Sequence, residues 1–165
     1  VGRTSTKTGG MTAADWIILT GATTYLAWTI VPAWYRAGGG KAFGIPLPSY
    51  TFNAWRGTTT FAALVAIVSI AWIGLRSGGV RLGAGTVGSV VDLTLASAGL
   101  VLTLLGLAVP PATEVGTASV SWALPVGIVL ALLWAYGAAR KYRERRSSDR
   151  SSPMAGSGFS TGVRP

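Results

Sequence analysis

Residues 61–75 read FAALVAIVSIAWIGL, and between Phe61 and Leu75 the one clearly polar side chain is that of Ser69. A helix in a soluble bundle keeps a polar stripe along its solvent face, and this run has none. Further runs of the same character lie at residues 16–35, 90–109 and 120–139. Each approaches the roughly 20 residues with which a helix crosses a hydrocarbon core of about 30 Å. With the second span taken as 59–75, the pattern predicts an all-α protein, an integral membrane four-helix bundle. The organisation that follows is an N-terminal segment over 1–14, a four-span domain over 15–139 with a long loop at 36–58, and a tail over 140–165.

Composition points the same way. Of 165 residues, 50% are hydrophobic and 12% charged, where a soluble domain carries about a quarter charged. The absence of cysteine and histidine removes disulfides, thiolate nucleophiles, thiolate metal sites and the commonest general base. Only five acidic residues remain, too few for the usual catalytic constellations. We therefore expect no enzyme, no catalytic residue, no cofactor and no metal site.

The charge distribution sets an expected orientation, because basic residues near span ends stay on the cytoplasmic side. Arg3, Lys7, Arg76, Arg81, Arg140, Lys141, Arg143, Arg145, Arg146, Arg150 and Arg164 make eleven on one face, against Arg36, Lys41 and Arg56 on the other. Both termini are thus expected in the cytoplasm, with the protein in the cell membrane. A start at Met11 instead of Val1 leaves the asymmetry in place. The first span is too long for a cleaved signal and lacks a small-residue cleavage site. A net charge of +9 reads as a topology signal, and nucleic acid is not an expected partner.

Two hydroxyl-x-x-acid patterns, Thr12 to Asp15 and Ser89 to Asp92, fit helix caps. Asp92 also admits a functional reading, an ion or proton site, because a charged residue within a span is costly unless paired. It heads a stripe, Asp92, Ala96, Gly99, Thr103 and Gly106, at spacings of four, three, four and three. Comparable stripes run through Thr59, Ala62, Ala66 and Ser69 and through Gly127, Ala131, Ala135 and Ala138. Small residues let spans approach closely. If the stripes meet, Asp92 faces inward, with Arg76, Arg81 or Arg140 as its partner.

Trp16, Trp34, Trp55, Trp72 and Trp122 fall near span ends, as an interface belt would place them; Trp28 and Trp134 lie deeper. Pro32 and Pro125 each remove a backbone donor, freeing the carbonyls of Trp28 and Ser121. Both sit near span ends, where this costs little. The loop begins Ala37-Gly38-Gly39-Gly40 and turns aromatic, with Phe43, Tyr50, Phe52 and Trp55 as candidates for an external contact surface or a lid on the membrane interface. In the tail, Arg140, Lys141, Arg143, Arg145 and Arg146 extend the fourth helix and suit anionic lipid headgroups. From Ser147 onward the composition predicts disorder.

The stretches AWTIVPAWYRAGGG (27–40) and SYTFNAWRG (49–57) resemble a loose group of small four-helix integral membrane proteins common in actinobacteria, with a W-Y end to helix one and N-A-W leading into helix two. The resemblance implies the membrane four-helix fold and no catalytic residue. Three functions are open: a scaffold or accessory subunit that binds a membrane partner or a second copy, a small transporter or channel component using Asp92, and, last, a membrane enzyme.

Overall fold

In the computed structural model, which describes residues 11–80, 86–113 and 116–151, the chain enters its first helix through a reciprocal cap. The Asp15 N–H donates to the Thr12 hydroxyl at 3.2 Å, and the Thr12 N–H donates to Asp15 Oδ2 at 3.0 Å. Both donors would otherwise be open at the helix start. Helix α1 (Ala13–Trp28) has 16 residues and so a length of about 24 Å. It ends ahead of Pro32, which has no N–H to offer the Trp28 carbonyl. That carbonyl accepts instead from the Trp34 indole at 2.9 Å and the Val31 N–H at 3.1 Å. The expected first span over 16–35 is therefore corrected: the helix stops at Trp28, and Tyr35 begins a strand.

Helices α2 (Thr58–Ser77), α3 (Thr86–Ala108) and α4 (Ala123–Ser151) are the three among the described residues that are long and apolar enough to cross a membrane. Helix α4 runs past the expected span into the tail, continuing through Ser147 to Ser151. Residues 1–10 and 152–165 lie outside the described residues. α1 packs on α2 and α4, and α3 packs on α2 and α4, so the four helices close a ring in chain order.

The interior of that ring is aromatic. Tyr25, Trp34 and Trp134 are fully buried; the Tyr25 ring meets Trp34 edge-on at 6.0 Å and Trp134 at 6.2 Å between centroids. Glycines make room for the indoles. A Cβ at Gly127 would stand 2.3 Å from the Trp34 ring, and one at Gly99 2.4 Å from the Trp134 ring. The stripe positions Ala96, Gly99, Thr103 and Gly106 are all buried, as are Thr59, Ala62, Ala66 and Ser69. On α4, Gly127, Ala131 and Ala138 are buried while Ala135 is half-buried, since Trp134 takes the inward place. Several of these small residues seat a bulky side chain. At Gly21 the backbones themselves approach, with a Cβ falling 2.9 Å from Trp134 Cα.

The expectation of an all-α chain is corrected at the loop end. Strands β1 (Tyr35–Gly38), β2 (Lys41–Ala42), β3 (Ile45–Pro46) and β4 (Ser49–Phe52) form one hairpin arm. Its register is continuous from Tyr35↔Phe52 through Gly38↔Ser49 to Ala42↔Ile45. Across the glycines it is carried by Gly39 N–H to Pro48 O at 3.0 Å and Leu47 N–H to Gly40 O at 2.9 Å. The arm turns at Phe43-Gly44, whose φ values of 52° and 80° suit a two-residue turn matched to strand twist. Strands β5 (Ala112–Thr113) and β6 (Gly116–Thr117) pair together, while β7 (Ser119–Val120) joins the arm's base, giving a sheet of order β4-β1-β7. Tyr35 and Ala37 point into the bundle and Arg36 and Gly38 away from it, the alternation of a half-buried strand.

Gly21→Ala is expected to destabilise the bundle by about 1–3 kcal/mol, because overpacking must push the two backbones apart. Gly74→Ala, with nothing within 4 Å of the new Cβ, is expected to be neutral or stabilising. Thermal unfolding of the two variants in detergent, followed by circular dichroism, checks the pair.

Candidate functional site

Four charged side chains, one from each helix, meet at the end of the bundle that carries the start of α1 and the end of α2. Asp15 lies in the first turn of α1 and Arg76 in the last turn of α2, where helix dipoles favour an acid and a base respectively. Asp92 comes from α3 and Lys141 from α4. Lys141 Nζ donates to Asp15 Oδ1 and to Asp92 Oδ2, each at 2.5 Å. Arg76 spans the same two acids, Nη2 to Asp15 Oδ1 at 2.8 Å and Nη1 to Asp92 Oδ2 at 3.1 Å.

Two anions and two cations sum to zero, which is how charge survives away from water: paired and hydrogen-bonded. Asp92 is 0% exposed and Lys141 4%. Such a cluster stabilises only as a unit, because losing one member strands an uncompensated charge at a cost of about 3–5 kcal/mol. Asp92 Oδ1 is buried without a hydrogen-bond partner among the described residues.

Two smaller polar contacts lie further along the interior. The Tyr25 hydroxyl meets Thr103 Oγ1 at 2.7 Å, and Thr103 Oγ1 donates to the Gly99 carbonyl at 2.8 Å. Below the arm, the Tyr35 hydroxyl lies 3.2 Å from the Gly106 carbonyl and 3.3 Å from Thr59 Oγ1. Burial raises the Tyr35 pKa above its ordinary value, opposed by the bond to Thr59, so the phenol keeps its proton and donates.

Asp92 thus meets Arg76, one of its three expected partners. Arg81 lies outside the described residues, and Arg140 instead donates to Glu144 Oε1 at 2.8 Å. The cap reading of Asp92 is corrected, since α3 begins at Thr86 and the Ser89 hydroxyl donates to the Thr86 carbonyl. Lys141, expected against lipid headgroups, is likewise corrected: its ammonium is buried in the cluster. Arg140, Arg143, Arg145 and Arg146 remain exposed. Trp34, expected in the interface belt, is in the core.

A signal for Lys141 was present. Gly127, Ala131, Trp134, Ala138 and Lys141 repeat the four, three, four, three spacing of the Asp92 stripe, with the charge at the matching end of an antiparallel helix. Of the loop candidates, Phe43, Tyr50 and Trp55 are exposed. Phe52 is half-buried, with the Arg56 guanidinium 4.7 Å above its ring. Among the described residues no three His, Cys, Asp or Glu side chains converge as a metal site would need.

Comparison of the chain with protein-family models, with curated proteins and with solved structures finds no match in any of the three.

Lys141→Met is expected to destabilise the bundle by about 3–5 kcal/mol by leaving two buried acids with one cation. Asp92→Asn combined with Lys141→Met restores neutrality and is expected to recover about 0.5–3 kcal/mol relative to additivity. Chemical unfolding of the wild type, both singles and the double variant closes the cycle.

Proposed function

We propose that this chain is a non-enzymatic multi-pass protein of the cell membrane, a scaffold or accessory subunit that holds a contact arm outside the bilayer. The observation that carries the reading is the arm itself. Its base is wired into the bundle through buried Tyr35 and the β7 pairing, while its tip holds Phe43 fully exposed with Ile45 at 67%, and Tyr50, nearer the base, is exposed at 54%. Apolar side chains on an extramembrane projection mark an interaction surface. Arg36 and Lys41 on the same arm suit a partner whose apolar pocket has an acidic rim.

The interior supports the same reading. Tyr25, Trp34 and Trp134 fill the ring of helices, and Asp92 is neutralised by Arg76 and Lys141, an arrangement suited to rigidity. Both termini and the α2–α3 connection lie in the cytoplasm in this reading, following the eleven basic residues counted there, and the exposed arginines after Arg140 attract anionic lipid.

The arm's role is tested by placing a photoreactive phenylalanine at position 43 in the native membrane. A discrete protein adduct, either a second copy of this 17.0 kDa chain or another membrane protein, is the expected result. Adducts to lipid alone would end the reading. Orientation is tested separately, and cleanly, because the chain has no cysteine. Cysteine introduced at Lys41 is expected to react with an impermeant maleimide on intact cells, and cysteine at Ser148 only after permeabilisation. The reverse pattern would invert the topology.

A further inference from the structure

The seam between α1 and α4 holds an apolar groove of about 230 Å³, lined by Trp16, Ile17, Thr20 and Leu133. One turn along α4 from Leu133 the two helices close on each other at Gly137. A Cβ at Gly137 would stand 2.7 Å from Ile17 Cγ2 and 3.1 Å from the Ile18 nitrogen, so the two helices touch there backbone against side chain. Trp16 and Thr20, one turn apart, form one wall, and Leu133 stands on the other.

The depth of the groove follows from the charge cluster. The bond between Asp15 and Lys141 brings their sequence neighbours Trp16 and Arg140 to one level at the end of the bundle. Leu133, Tyr136 and Arg140, spaced three and four, share one exposed face of α4. Trp16 thus forms the end of the groove nearer the charged layer, with Thr20 and Leu133 toward the middle of the helices, and Arg140 stands two turns beyond Leu133 on the same face of α4. Glu144 takes Arg140 Nε at 2.8 Å, and a guanidinium carries five N–H donors in all.

We propose that this seam binds one anionic phospholipid, its phosphate against Arg140, the Trp16 indole at headgroup level, and the upper stretch of an acyl chain along Ile17, Thr20 and Leu133. Charge above and apolar walls below match the two ends of that molecule and of no water-soluble anion. The assignment rests on the membrane reading above and goes beyond it, because a general attraction of basic residues to a negative surface requires no groove.

The full chain is reconstituted in vesicles holding equal phosphatidylcholine and phosphatidylglycerol, extracted gently and weighed by native mass spectrometry. One phosphatidylglycerol retained per chain, in preference to phosphatidylcholine and undisturbed by excess inorganic phosphate, is the expected result. Arg140→Gln is expected to lower retention about fivefold, the equivalent of the roughly 1 kcal/mol a basic residue contributes near the headgroups. Leu133→Trp, which fills the groove, is expected to abolish retention of either lipid at unchanged helicity. Equal retention of both lipids, retention unaffected by both substitutions, displacement by phosphate alone, or a second copy in place of lipid overturns the site. A chain that fails to float with the vesicles overturns the membrane reading, and this site with it.

Discussion

The ammonium of Lys141, held between the carboxylates of Asp15 and Asp92 with Arg76 across the same pair, ties all four helices together at one end of the ring. Three of these helices are long and apolar enough to cross a membrane, and between spans in lipid no hydrophobic effect acts, so association there falls to close packing and polar contacts. The cluster supplies what packing lacks, which is register. Each helix contributes one charge, so a helix displaced by one turn leaves an ion unpaired. The aromatic interior then follows: with the charged layer in place, Gly99 comes under the Trp134 ring, and toward the opposite end Gly127 comes under Trp34.

Bracing at one end leaves the other free to be irregular. There the indoles act as staples. Trp34 bonds the carbonyl that Pro32 leaves open, and Trp28 Nε1 donates to the Ala123 carbonyl at 2.8 Å. The Ser121 N–H donates to the Trp34 carbonyl at 3.0 Å. These bonds join the end of α1 to the start of α4 and set the base on which the arm stands. An early stop to α1 thus has a structural use, since the residues released from the helix become the first strand of the arm.

Much of this was legible in residue spacing. The runs of apolar residues mark the helices, and the stripes beginning at Asp92 and Thr59 identify the buried faces, because a helix repeats on a period that a reader can follow. The arm was hidden by its own composition. Gly38, Gly39 and Gly40 with Pro46 and Pro48 look like loop, and only the pairing of distant residues reveals a strand register. Lys141 was hidden differently: it stands among arginines in a run that suits anionic lipid headgroups, and its inward direction depends on the helical phase of Trp134 and Ala138. The Ser89 to Asp92 pattern misleads for a related reason. A cap motif is local, and here helix α3 already begins at Thr86.

The length of α4 has a consequence of its own. From Lys141 in the charged layer to its last residue at Ser151 the helix advances about 15 Å, carrying Arg143, Arg145 and Arg146 around its flanks. This is a mast standing clear of the bundle. Those arginines are thereby carried at set heights above that layer, each with a heading fixed by the helix axis, as lamps are fixed along a masthead.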